Sequence, residues 1–170
     1  MDKAARKILM GREPVNVRII RARYAKVAIK VQEQLDKTPK HDILILIGDL
    51  TAKVGCENVG YEDCMGREGV GEKKDKGQRL ADLCLEKGLV IGGPVFQHKK
   101  IRKLTWVSPD KKTSNQIDHI AINQKWRKSM LDVKAVRRLD GSTDHHLVMC
   151  KLQLKLKRTQ EKNSEQLNLQ

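Results

Sequence analysis

Aromatic side chains are nearly absent from this 170-residue chain; Trp106, Trp126, Tyr24, Tyr61 and Phe96 are the whole set. A core made almost without them must come from Ile, Leu and Val. Cysteine is sparse as well. Positions 56, 64, 84 and 150 form no Cys-x-x-Cys pair, which excludes the common zinc spacings and argues against a disulfide framework at this length. No apolar run reaches the length of a secretory leader or a membrane span, and the first eleven residues are charged. These absences predict an intracellular protein, of nucleus or cytoplasm, with no membrane partner.

Acidic residues thin out in the second half. Residues 95–158 hold sixteen Lys or Arg against five Asp or Glu, a net of +11 within a total of +14, while the first 94 residues contribute only +4. A basic surface of this kind attracts phosphates, and the acids that remain within it can hold a cation. The bland alternative is a generally basic, solubilising surface.

Strand and helix patterns alternate along the chain. Residues 15–20 alternate apolar and polar side chains after a polar start that contains Pro14, and read as a short strand. Residues 24–35 carry apolar side chains at a helical period. Residues 43–47, Ile-Leu-Ile-Leu-Ile, have the pattern of a central strand covered on both faces. From Gly55 to Gly77 six glycines among Glu, Lys and Asp predict a long, mobile loop. Leu80, Leu83 and Cys84 predict a helix ended by Gly88, followed by short strands at 89–91, 105–107, 117–122 and 132–138 and a short basic helix at 124–130. A terminal strand at 147–156 precedes a polar tail at 159–170. The class is therefore α/β or α+β with a mixed sheet, in one domain over residues 1–158.

Chemistry concentrates at three strand ends. Asp49 follows the apolar run 43–47, where the carboxyl edge of an α/β sheet binds ligands; an acid there can equally cap a turn. Asp118 lies inside an apolar strand pattern and must face solvent or find a partner such as a histidine or a cation. Asp144 and His145 are adjacent at the mouth of the last strand, where a turn can aim both into one pocket. His146 can be a solvated neighbour. Three acids and a histidine delivered by strand ends suggest metal-assisted phosphate chemistry. The basic stretch Lys99, Lys100, Arg102 and Lys103 is a candidate for contacts to nucleic-acid phosphates.

Five motifs, in order, resemble the endonuclease/exonuclease/phosphatase family of DNase I and the apurinic endonucleases. They are Asp42-Ile-Leu-Ile-Leu-Ile-Gly-Asp49, Gly77-Gln-Arg-Leu-Ala-Asp-Leu-Cys84, Leu104-Thr-Trp-Val-Ser-Pro-Asp110, Asn115-Gln-Ile-Asp-His-Ile120 and Thr143-Asp-His-His146. Together they cover about residues 40–157. The chain is similar, within that family, to the endonuclease domains of non-LTR retrotransposons and to the craniofacial development protein 2-like sequences derived from them. The resemblance implies a DNase I-like sandwich of two mixed sheets. It assigns Asp49 to the acid that orients or activates the attacking water and shares the metal, Asp118 to the acid that orients the catalytic histidine, Asp144 to a metal-site acid, and His145 to the histidine on the scissile phosphate. Asn115 and Trp106 match positions near the nucleic-acid face, although Trp106 reads first as a core residue. Mg²⁺ or Mn²⁺ is the implied cofactor and DNA the implied partner.

Two departures accompany the match. The family writes Gly-Asp-Phe-Asn where this chain has Gly48-Asp49-Leu50-Thr51, so Thr51 replaces a phosphate-stabilising asparagine. The segment before residue 40 also supplies no counterpart of the family's N-terminal asparagine and metal-binding glutamate; Glu13 precedes Pro14 and Glu33 lies in a helix pattern. Tyr24 matches either the family's active-site tyrosine or a helix residue facing the core. The expectation is an incomplete, C-terminal part of the domain whose sheet leaves an apolar inner face open to self-association. Its function would be that of a retrotransposon-derived, Mg²⁺-dependent endonuclease of reduced or lost activity. The alternatives are a non-catalytic remnant that binds nucleic acid or a partner, and a phosphatase for small phosphoesters, which clustered positive charge disfavours.

Overall fold

The structure is a computed structural model, and it describes residues 7–10, 13–23, 28–39, 41–137 and 143–154. Its centre is a five-stranded mixed sheet in the order β1-β2-β3-β7-β4. The strands are β1 (Lys7–Met10), β2 (Glu13–Arg23), β3 (Ile43–Asp49), β4 (Leu89–Ile91) and β7 (Asp118–Asn123). β2 runs parallel to β3, with the helix α1 (Ala28–Asp36) in the crossover, and β3–β7 and β7–β4 pair antiparallel. β1 was not anticipated, and β2 is nearly twice as long as the short strand expected at 15–20. The expected helix start, including Tyr24, lies outside the described residues, as do the turn at 141–142 and the tail.

Side-chain alternation in β3 sorts the apolar residues onto two faces. Leu44 and Leu46 join Val31 and Leu35 of α1 and Leu80, Ala81 and Cys84 of α2 (Asp75–Glu86) in one buried cluster. Ile43 and Ile45 join Val90, Ile120 and Ile122 in the other, closed by Met130 and Val133. The second lid is a hairpin of β8 (Met130–Val136) and β9 (Leu147–Leu152). At β3, β4 and β7 the inner sheet face expected to lie open is thus covered; among the exposed apolar residues are Leu131, Leu147, Met149 and Leu152 of this hairpin. Truncating a fully buried side chain such as Ile43 or Leu46 to Ala should cost about 2–5 kcal/mol.

The long loop expected to be mobile is packed. It supplies Cys64 and Met65 to the helix-side core, beside Ala52 and Val54 from the residues just before it. Gly77 shows how closely α2 lies on it: a Cβ there would stand 1.7 Å from the Lys53 carbonyl oxygen. Lys74 N–H donates to that same carbonyl at 3.0 Å. Gly88, at φ +61, ends the helix region in a conformation that suits glycine. The expected basic helix at 124–130 is a 3₁₀ turn, Gln124–Ser129, and two short strands, β5 (Trp106–Val107) and β6 (Ser114–Asn115), form a separate ribbon. Among the described residues no helix is long and apolar enough to cross a membrane.

Candidate active site

Asp49 ends β3 and Asp118 begins β7, and the antiparallel register places them directly opposite one another. Paired positions point to the same face with Cβ atoms about 5 Å apart, so the two carboxylates share one site. Like charges opposed in this way repel, and the arrangement calls for positive charge between or beside them. His145 supplies one partner: its Nδ1 lies 3.1 and 3.2 Å from the two Asp118 oxygens. One ligand atom from each of Asp49, Asp118 and His145 falls within 4.8 Å of the others.

Backbone pins on each side fix this geometry. The Thr105 hydroxyl oxygen accepts the N–H groups of Ile117 at 2.9 Å and Asp118 at 3.0 Å, holding the start of β7. Leu50 N–H donates to the Ile117 carbonyl at 3.2 Å. Thr51 N–H donates to Asp49 Oδ1 at 2.9 Å, an Asx turn that orients the carboxylate and leaves Oδ2 available. Thr51 itself sits at φ +46, a left-handed conformation that a β-branched residue rarely takes. Its hydroxyl accepts a hydrogen bond from Lys76 Nζ at 3.1 Å. β5 holds the histidine segment: Trp106 forms a bridge with His145, His146 N–H donates to the Thr105 carbonyl at 2.7 Å, and Val107 N–H donates to the Asp144 carbonyl at 3.0 Å.

Asp144 stands beside the cluster and is not one of its three members. Its Oδ2 accepts the indole N–H of Trp106 at 2.7 Å. Trp106 is accordingly half-buried at the site, not in either core cluster, because a buried indole needs an acceptor and the acid provides one. Asn115 is the cross-strand partner of Trp106 and lines a neighbouring cleft with Lys100 and Lys103. Lys103 is held by Glu68 at 2.6 Å. Arg102 lines a small cavity behind Asp118, and Lys99 caps the start of the 3₁₀ turn Lys100–Arg102.

His119, absent from the candidate residues, supports the site from behind. It is fully buried, and its Nε2–H donates to the Ala52 carbonyl at 2.6 Å, tying β7 to the turn after Asp49. Burial pushes its pKa below the ordinary histidine value, against the Ala52 carbonyl and the two acids, which favour the charged form. Its place next to Asp118 in the motif was the available signal; which face it took depended on the register with β3.

The donor set suits a hard divalent cation. Two carboxylates with a free Asp49 oxygen, half exposed so that water can complete the shell, match the oxygen preference of Mg²⁺ or Mn²⁺. Because the carboxylate of Asp118 can only accept, His145 Nδ1 donates to it, which leaves Nε2 as an acceptor in the neutral ring and as a second donor, able to meet a phosphate oxygen, in the imidazolium.

No protein-family model matches the chain. By structure it is similar to the endonuclease domain of TRAS1, a telomere-specific non-LTR retrotransposon, with TM-score 0.55 at 16% identity over 88% of this chain and 62% of that one. It is similar also to the 3′-5′ exonuclease NExo of Neisseria meningitidis, with TM-score 0.56 at 19% identity over 88% of this chain and 66% of that one. A Neisseria NExo structure described as a 3′ phosphatase bound to product DNA hairpin gives TM-score 0.54 at 19% identity, over 90% of this chain and 67% of that one. The chain therefore has the DNase I-like fold of these structures. In sequence it is similar to craniofacial development protein 2: 41% identical over 127 residues to that of Tragulus javanicus and 40% over 127 residues to that of Bos taurus. Those matches cover 75% of this chain and about a fifth, 22% and 21%, of the two relatives.

Proposed function

We propose that the chain is a retrotransposon-derived, DNase I-like phosphodiesterase domain that engages DNA through the Asp49, Asp118 and His145 cluster. The observation that carries this reading is the convergence of those three ligand atoms within 4.8 Å on the facing ends of two strands and a bridge. Asp118 accepts from His145 Nδ1 and orients the ring, so that in its imidazolium form Nε2–H donates to a phosphate oxygen and stabilises its charge as the bond to the leaving oxygen breaks. Asp49, oriented by the Thr51 N–H, accepts a proton from the attacking water or shares the cation. Asp49 and Asp118, with Asp144 alongside, would hold a Mg²⁺ or Mn²⁺ ion, which would supply neutralisation of phosphate charge. The basic surface of residues 95–158 supports a polymeric substrate over small phosphoesters.

The catalytic output is reduced relative to the family pattern. Thr51 offers a hydroxyl already engaged by Lys76 where the family has an amide, and the cluster among the described residues contains no glutamate. Loss of one such donor costs about 10²-fold in rate by analogy with oxyanion-hole deletions. Nicking of supercoiled plasmid tests the reading. Slow nicking in Mg²⁺, abolished by EDTA and by His145→Ala, is expected; undiminished nicking in either control would sink it. The second reading, a nucleic-acid-binding remnant without catalysis, is favoured by the same two features and predicts DNA binding with no nicking at any metal concentration.

A further inference from the structure

A second Asp–His pair lies outside this site. A cleft of about 660 Å³ opens between the loop at 69–74 and the segment at 98–103, with Ser114 and Asn115 of β6 also in its wall. Lys53, Lys74, Lys100 and Lys103 line it against a single acid, Glu72. Two of these lysines are engaged, Lys103 by Glu68 at 2.6 Å and Lys74 by Glu72 at 3.7 Å. Lys53 and Lys100 have no carboxylate partner among the described residues, so the cleft carries uncompensated positive charge.

His98 shares this wall, and its Nε2 lies 2.6 Å from Asp132 Oδ1. Lys134 Nζ holds the other oxygen of that carboxylate at 3.0 Å. Burial pushes the Asp132 carboxyl up, but the hydrogen bonds from His98 and Lys134 outweigh it and keep it below the usual carboxylate range. A charged carboxylate can only accept, so Nε2 is the nitrogen that carries hydrogen. In the neutral imidazole Nδ1 is then a lone pair, which repels a phosphate oxygen. In the imidazolium Nδ1 becomes a donor and adds a positive charge. The groups facing His98 are Asp132 and Lys134 from β8, Lys100 and Lys103 from its own segment, and Lys53, Glu72 and Lys74 across the cleft. That surrounding is net positive, which suits an arriving anion.

We propose that this cleft is an anion site for a backbone phosphate of a polynucleotide, with His98, oriented by Asp132, adding its hold only when protonated. The identity of the polymer rests on the phosphodiester reading of the neighbouring cluster, to which the cleft connects through Asn115 and Trp106. The consequence is proton-linked binding: affinity rises as pH falls, and the rise depends on His98.

The test is fluorescence anisotropy of a labelled single-stranded oligodeoxynucleotide with the whole chain in EDTA, from pH 8 to 5.5. Wild type is expected to tighten about fivefold across that range, the scale of one charge-assisted hydrogen bond. His98→Gln, which can still donate to Asp132 but cannot titrate, should lose that tightening while keeping its circular dichroism spectrum and thermal midpoint. Lys53→Ala/Lys100→Ala should weaken binding at every pH and lower the log–log salt slope by about two. A pH response intact in His98→Gln, or a lysine variant no weaker than the charge-matched Lys125→Ala/Lys128→Ala, would overturn the proposal. Inorganic phosphate displacing the oligonucleotide at micromolar concentration would assign the cleft to a free anion and overturn the polymer. Because these measurements exclude metal, failure of plasmid nicking leaves them standing, and nicking with pH-independent binding removes the cleft alone.

Discussion

Two aspartate–histidine pairs in this chain have the same covalent parts and opposite company. Asp118 holds His145 at 3.1 Å with a second carboxylate, Asp49, directly across the strand pair. Asp132 holds His98 at 2.6 Å with Lys134 on its other oxygen and, in the cleft beyond, lysines that have no carboxylate partner among the described residues. An imidazole beside excess negative charge belongs to a site that gathers cations, and one beside excess positive charge to a site that gathers anions. The pair alone therefore does not declare a function; the sign of its surroundings does.

Asp118→Asn and His145→Ala should break this contrast most visibly. Each is expected to lower Mg²⁺-dependent plasmid nicking by about 10²-fold or more, the usual size of a lost acid–base or orienting group. Metal-free oligonucleotide affinity should fall far less than nicking does, since the cleft lysines carry most of that term. A parallel loss of nicking and of metal-free binding would show that the two regions are one. Asp49→Asn has a smaller expected effect: removing one of two facing carboxylates should raise the Mg²⁺ concentration for half-maximal nicking about tenfold. A magnesium titration that does not move would take Asp49 out of the cation site.

The acidic site was more legible in the sequence than the basic one. Residues 43–47 are apolar on both faces, so β3 and the Asp at its end could be read directly, and Asp118 stood out as a charge in an apolar strand. What could not be read was register. That Asp49 opposes Asp118, and that His119 turns into the core to hold Ala52, follow from the β3–β7 alignment, a non-local pairing. Trp106 shows the same limit, since its expected place in the core gave way to an acceptor 38 residues away. The second pair had no motif at all: His98 and Asp132 are 34 residues apart, and only the packing of β8 beside the 98–103 segment joins them. The loop at 55–77 misled for a related reason. Its glycines signal turns, but its apolar residues are spaced without period and find the core only once α2 lies across it.

Thr51 offers a finer adjustment of the acidic region. At φ +46 its β-branched side chain is strained, whereas Asn tolerates that conformation and carries the amide the family uses. Thr51→Asn should raise stability by about 1 kcal/mol, read as a higher denaturant midpoint at constant slope. Nicking should rise severalfold, with metal-free binding unchanged. A lower midpoint would mean that the Lys76 contact to the Thr51 hydroxyl outweighs the backbone strain.

The smallest expected effect at neutral pH concerns a third histidine, which shares its acids with His145 but not its exposure. His119 is buried, and desolvation holds its pKa below the ordinary 6.5 despite Asp118 and Asp49 nearby. Between its folded pKa and about 6.5 the unfolded chain binds a proton that the folded chain refuses. Stability is therefore full above that window and is lost as pH falls through it, with a slope of at most about 1.4 kcal/mol per pH unit for one proton. His146 shifts in the same direction through burial, Arg137 and His145, and adds to the slope. Carboxylates with lowered values, Glu62, Asp110 and Asp132, titrate in a lower range and leave this window to the histidines. Thermal midpoints measured from pH 7.5 to 5 should fall toward acid in wild type, fall less in His146→Gln, and fall least in His119→Gln, which keeps a donor for the Ala52 carbonyl. A His119→Gln profile as steep as wild type would mean that His119 takes up its proton within the fold, and that the acids beside it, not its burial, set its charge.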